Sequence, residues 1–270
     1  MDISILERQF SRIGARVRVH ERTRPNWGQD SGMVTLDIAH DRRGEYFDVR
    51  ITPGSRPEML VLNLEPKLRH LLLMTREHAT IREKHKFLCG HDERHWFVAA
   101  VPDGATSTVR NAMEALKPAQ VRERQSQLRL SQAQGHTRHN AAFLRQGEWF
   151  FVPVNGLRID PRTVLNNERL SRGRGKSHWL EYAYRTGGER VYVSARYPTG
   201  ITEAKYRELM NRGPRQKNQE WRIMVRNPGL YARGRVRHPD HATIVLHDWH
   251  QVLMNRESEA PAMRHVAFLD

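Results

Sequence analysis

The chain has 270 residues, 38% of them hydrophobic and 28% charged, which is enough apolar material for packed cores in more than one modest domain. Its formal net charge is +15, and residues 106–270 hold 28 Lys and Arg against 15 Asp and Glu, so nearly all of the excess lies in the second part. The single cysteine, Cys89, excludes an intrachain disulfide, and no apolar run approaches the roughly 20 residues of a bilayer span, so a cytoplasmic protein without a membrane partner is expected.

The first residues do not read as a secretory signal, because Glu7, Arg8 and Arg12 interrupt the apolar positions. The spacing of Ile3, Leu6, Phe10 and Ile13 predicts a short amphipathic helix ended by Gly14. Val34, Leu36 and Ile38 alternate, Asp41-Arg42-Arg43-Gly44 reads as a turn, and Phe47, Val49 and Ile51 alternate back. Further strands fit 59–64, 69–75, 85–90 and 95–101. His85, Cys89, His91 and His95 fall on one strand face with Phe87 and Phe97, a pattern that favours a packed core holding Cys89 over a metal site. Residues 1–105 therefore read as one β-rich domain.

Residues 106–140 read as a helical, Gln/Arg-rich basic connector. Ser107 can cap a helix over about 108–117 whose buried stripe is Val109, Ala112, Met113 and Leu116. The stretch 119–140 has little to bury and predicts an exposed helix running into a hinge at Gln134-Gly135-His136.

Residues 141–270 read as a second, basic β-rich domain. Its clearest sequence hairpin spans 178–197 around Gly187-Gly188. A helix is expected from about 203 to 212, then strands at 220–226, 231–237, 242–246 and 250–254, and a loose polar tail from Arg256. The fold class is thus α+β, mostly antiparallel β, with two β-rich units joined by a helical segment.

The cations are 38 Arg and 7 Lys, and guanidinium is suited to bidentate phosphate and base-edge contacts. Residues 171–179 contain Gly175-Lys176-Ser177, but the glycine that a P-loop needs five residues earlier is Leu170, and a strand pattern follows. The better reading is an Arg-Gly loop whose Arg172, Arg174 and Lys176 wrap a phosphate backbone beside Trp179. A second basic stretch carries Arg212, Arg215, Lys217, Arg222, Arg226, Arg233, Arg235 and Arg237, interleaved with Trp221 and Tyr231. Arg233, Arg235, Arg237 and Tyr231 alternate onto one strand face, which cannot be buried against an apolar core. Aromatics beside cations suit unpaired bases. A non-enzymatic nucleic-acid-binding protein is expected, RNA ahead of DNA, with ribonucleoprotein or mobile-element partners and no obligatory cofactor.

The rival expectation rests on histidines. His238-Pro239-Asp240-His241 reads as a β-turn, and His247 and His250 follow on the next strand. Four converging imidazoles would suit Zn or another divalent metal, making the protein a metal-dependent nuclease or phosphodiesterase.

Overall fold

The computed structural model describes residues 3–21, 34–76, 84–102, 104, 106–171, 176–211 and 220–260. Helix α1 (Ile3–Arg12) buries Leu6 and Phe10 and ends at Gly14, whose φ of +80° a side chain would strain. Strands β1 (Val17–Glu21), β2 (Val34–Asp41) and β3 (Gly44–Ile51) form a sheet in the order β1-β3-β2. The β2–β3 hairpin matches the alternation in the sequence, and Asp41 Oδ1 accepts the Arg43 N–H at 2.8 Å to close its turn. β1 runs parallel to β3, an arrangement that local pattern did not foretell.

Strands β4 (Glu58–Glu65), β5 (His70–Arg76), β6 (Lys84–Asp92) and β7 (His95–Ala100) form an antiparallel meander in chain order. The apolar run at its centre is explained by burial on both faces. Leu71 and Leu73 point with Phe87 and Cys89 into a core shared with Phe10, Phe47 and Trp96. Leu72 and Leu88 point the other way, against Val109 and Ala112 of the next helix and Leu116 at its C-terminal cap. Each fully buried leucine contributes about 1.5–3 kcal/mol of transfer free energy, so this sheet is the anchor of the first unit.

That helix is α2 (Val109–Ala115). Its cap is Thr108, whose side chain accepts the Asn111 N–H at 3.1 Å, one residue later than the sequence suggested. Helices α3 (Ala119–Gln127) and α4 (Gln132–Gly135) follow. The expected hinge at 134–136 is instead tied down. Gly135 is buried, and its carbonyl accepts from Lys117 Nζ at 3.0 Å and Gln125 Nε2 at 2.9 Å. A Cβ on Gly135 would lie 2.6 Å from Gln125 Nε2, so glycine here serves close packing rather than flexibility.

The second unit is built on β8 (Leu144–Gln146), β9 (Trp149–Pro153), β10 (Leu165–Leu170), β11 (His178–Thr186), and, after an insertion, β15 (Gly229–Arg237) and β16 (Ile244–Met254). They make a six-stranded antiparallel sheet in the order β10-β11-β15-β16-β9-β8. Leu180, Ala183, Val236, Leu246, Phe151 and their neighbours form a core on its inner face. Among the described residues, the outer face is covered at one side, where Phe150 and Val152 pack with Val121 and Phe143.

The hairpin expected around Gly187-Gly188 does not form. β11 pairs with β10 and β15, and the chain leaves at Gly187 to build a small sheet from β12 (Glu189–Ser194), β13 (Tyr197–Thr202) and β14 (Arg222–Arg226), with α5 (Glu203–Asn211) between β13 and β14. The chain returns at Gly229, opposite Thr186.

The two units are joined by more than the connector. The 3-10 turn Arg256–Glu259 docks on the first unit, where Glu257 Oε1 accepts the buried Ala100 N–H at 3.1 Å and Ala260 enters the N-terminal core. The expectation of a loose tail therefore fails at its start, and residues 261–270 lie outside the described set. Among the described residues, no helix is long and apolar enough to cross a membrane.

Candidate nucleic-acid interface

The strand register decides which side chains share the open face of the large sheet. Trp179 lies opposite Arg237 on one side and Arg169 on the other. Next along the face is Arg235 opposite Val245, then Tyr182 opposite Arg233, then Tyr184 opposite Tyr231. Register shifts re-aim the following residues: β15 spans Arg233 to Val236 while β11 spans only Leu180 to Tyr182, and β16 spans Leu246 to His250 while β15 spans only Ala232 to Gly234. They bring Arg233 over both the Tyr182 ring, at 5.7 Å, and the Trp249 ring, at 5.1 Å.

This face combines exposed guanidinium with aromatic surface. Arg233, Arg235 and Arg237 are all exposed, and Trp179 is 38% exposed. Arg237 donates to Asn167 Oδ1 at 2.7 Å, and Arg169 Nε donates to Ser177 Oγ at 2.7 Å. Among the described residues, the carboxylate paired with this group is Glu181, 3.6 Å from Arg235 Nε. Arg233, Arg235 and Arg237 are thus held in place by rings, an amide and one long ion pair.

The other expected residues fall elsewhere. Lys176 precedes β11 at the Trp179–Arg237 end of the sheet, but it is paired with Asp240 at 2.7 Å. Arg222 and Arg226 belong to the small sheet, paired with Glu220 and Glu189. Trp221 is half-buried there, stacked on Tyr197 with centroids 5.7 Å apart. Those three residues sit among the small sheet's own ion pairs and rings and do not extend the rows on the large sheet. Arg172, Arg174, Arg212, Arg215 and Lys217 lie outside the described residues. Arg169, Tyr182 and Trp249, which sequence reasoning passed over, belong to the face. Their signal was strand pairing, which a single sequence does not state.

The histidines divide in a different way from the expected set of four. His238 and His241 do meet, with ring centroids 4.7 Å apart. His247 and His250 do not join them. β16 carries them away from the turn, His247 onto an exposed position and His250 into a buried one, its Nδ1 2.8 Å from the Asp248 carbonyl. The third member of the cluster is His178, at the start of β11. Because Trp179 pairs with Arg237, His178 is brought against His238, their rings stacked at 4.3 Å, with His241 at 5.8 Å.

His178 is 1% exposed, and among the described residues neither of its ring nitrogens has a hydrogen-bond partner. Burial, then the two neighbouring imidazoles, pushes its pKa down to about 3. Burial also lowers the pKa of His238 and of His241. Behind His241 stands Glu93 of the β6–β7 turn, its Oε2 3.6 Å from His241 Nδ1 and accepting the Ala242 N–H at 2.9 Å. Glu93 is itself held by Arg138 at 2.6 Å, and the adjacent Asp92 pairs with Arg138 and with Arg145 at 3.0 Å. Burial brings the Arg138 pKa down to about 10.

The cluster opens onto a cleft of about 370 Å³ between the two units. Glu45, His95 and Trp96 line the opposite wall, where Glu45 is fixed by His95 Nδ1 at 2.7 Å and by the Trp96 N–H at 2.9 Å. Cys89, in contrast, is buried in the N-terminal core, where desolvation raises its pKa and leaves it without a chemical role.

Comparison of the chain with protein-family models, with curated proteins and with solved structures gives no match.

Proposed function

We propose that the protein binds nucleic acid on the open face of the six-stranded sheet, RNA ahead of DNA. The observation that supports this most is the pair of rows Arg169-Trp179-Arg237 and Tyr182-Arg233, which alternates rings with exposed guanidinium groups on one face, with Arg233 seated on the buried Trp249 ring. Phosphates pair with the arginines while unpaired bases stack on the rings, each stack worth about 1–3 kcal/mol. A sheet face of this kind suits splayed single-stranded bases better than a duplex groove, which accounts for the preference for RNA. A ribonucleoprotein or a mobile element is the expected context. The test is fluorescence anisotropy with labelled single-stranded RNA, single-stranded DNA and duplex DNA. Binding that weakens steeply with salt and prefers the single strands supports the reading, and no binding at low ionic strength removes it.

The rival reading, metal-dependent cleavage of a phosphodiester, is favoured by the convergence of His178, His238 and His241 one residue from Trp179 and Arg237. Its test is whether a bound oligonucleotide is cut by the metal-supplemented protein and left intact by His241→Ala.

A further inference from the structure

We propose that His178, His238 and His241 form a binding site for one divalent transition-metal ion of the zinc class, with a coordination position left open to the cleft. Each histidine offers one ring nitrogen, and the three nitrogens lie within 4.8 Å of one another. This inference does not depend on nucleic-acid binding.

Packing alone does not account for the cluster. A phenylalanine at position 178 would fill the same space without burying two polar nitrogens, and each unsatisfied buried polar atom costs about 1–3 kcal/mol. A metal ion gives one His178 nitrogen a partner. The tautomers also fit. The Nδ1 of His238 accepts the Asp240 N–H at 3.2 Å, so its proton sits on Nε2, facing the Lys176 carbonyl at 3.3 Å, and coordination through Nδ1 takes over the one lone pair that the Asp240 N–H otherwise uses. For His241, coordination through Nε2 places the proton on Nδ1, toward Glu93 Oε2 at 3.6 Å. A carboxylate behind a ligating histidine is the usual device that fixes its ring and raises its basicity.

The backbone leaves room beside these nitrogens. Gly147, in the β8–β9 turn, has φ +57°, and a Cβ there would lie 3.1 Å from His241 Nε2 and 3.6 Å from His178 Nε2. The absence of a side chain at this point keeps a small space against the two Nε2 atoms. Gln146 Nε2 donates to the Ala242 carbonyl at 2.6 Å, tying that turn to the loop that carries His241.

The donor set selects the metal. Three imidazole nitrogens suit Zn²⁺, Co²⁺, Ni²⁺ or Cu²⁺, whereas Mg²⁺ and Ca²⁺ prefer oxygen ligands. Asp240, the carboxylate closest in sequence, is held by Lys176 at 2.7 and 2.9 Å. Three protein ligands beside a cleft leave a fourth position for water or a ligand oxygen, the arrangement of catalytic rather than structural zinc sites.

The experiment uses the full chain, stripped with a chelator and then titrated with Zn²⁺ against a competing indicator and with Co²⁺ followed by its visible spectrum. The expected result is one equivalent of metal and a Co²⁺ spectrum of nitrogen and oxygen ligation without a thiolate charge-transfer band. Glu93→Gln is expected to weaken Zn²⁺ binding by about 10–100-fold, His241→Gln by more than that, and His247→Ala not at all. His178→Gln serves as a second ligand variant, and thermal melting of the metal-free forms shows that each variant is folded. Binding below a tenth of an equivalent overturns the proposal. So does affinity unchanged in the folded His241→Gln variant, or lowered equally by His247→Ala.

Discussion

Removing Arg233, Arg235 and Arg237 together by substitution to alanine gives the sharpest test of the open sheet face. The salt dependence of binding reports the number of phosphates neutralised, with a slope of about −0.7 per contact for a single strand. Arg233 rests on rings and Arg237 on an amide, so both guanidinium groups keep their full charge for a phosphate. Arg235 is 3.6 Å from Glu181 and counts as anywhere from no contact to one. The loss in slope is therefore between about 1.4 and about 2.1. Between about 50 and about 200 mM salt, the wild type should lose roughly 7-fold to roughly 20-fold more affinity than the variant does. Anisotropy with a labelled single-stranded oligonucleotide across that range measures both slopes. Arg185→Ala, which removes a guanidinium paired with Glu168 at 2.9 Å, is the control and should leave the slope unchanged. Equal slopes for wild type and triple variant, with equal melting temperatures, would refute the assignment of phosphate contacts to this face.

Trp179→Ala should lower affinity through lost stacking, by about 1–3 kcal/mol, and leave the salt slope unaltered in the same assay. Gly234→Ala should destabilise the protein by about 1–3 kcal/mol in thermal or urea unfolding, because φ is +83° and the new Cβ would lie 2.8 Å from Glu181 Oε2 and 3.0 Å from Tyr182 Cδ2. Glu257→Ala should cost about 1–3 kcal/mol by leaving the buried Ala100 N–H unpaired, measured by urea unfolding. Acid stability should depend on His70. Burial, the largest influence, holds its pKa down to about 4 against an ordinary 6.5, so the unfolded chain takes up the proton first as pH falls. The share of stability carried by His70 is intact above about 6.5 and is lost progressively toward 4, by on the order of 3 kcal/mol, and His70→Phe should reduce the slope of the unfolding free energy over that window, leaving the part due to His178.

What the sequence made legible was local. The β2–β3 hairpin could be read because alternation and a two-residue turn fall within one stretch, and α1 because Leu6 and Phe10 recur at helical spacing. The meander β4–β7 followed because its strands pair in chain order. The failures were all of partner choice. Alternation on both sides of Gly187-Gly188 marks two strands but does not say that they pair, and each finds its partners elsewhere. Glutamines around Gly135 look like linker composition, yet Gln125 and Lys117 spend their hydrogen bonds on one buried carbonyl. The histidine set failed for the same reason. His238 and His241 share a turn and could be found from spacing, whereas His178 lies some 60 residues earlier and arrives only through the β11–β15 register.

That register has a consequence for how the two surfaces relate. Successive residues of a strand point to opposite faces, so Trp179 and Arg237 turn outward while the neighbouring His178 and His238 gather at the inner end of the same strand pair. A slip of one residue would exchange the faces, putting Trp179 against the cluster and an imidazole on the open sheet. The irregularity at Gly234 and the Glu181 carboxylate that accepts the Arg235 N–H at 2.8 Å guard against such a slip. One pairing therefore sets both the spacing of cations on the outer face and the meeting of imidazoles inside, and a strand of phosphates lying along Arg233, Arg235 and Arg237 runs toward His238. Damage to the pairing should reach nucleic-acid and metal binding together, whereas loss of a single arginine or a single histidine should affect one and spare the other.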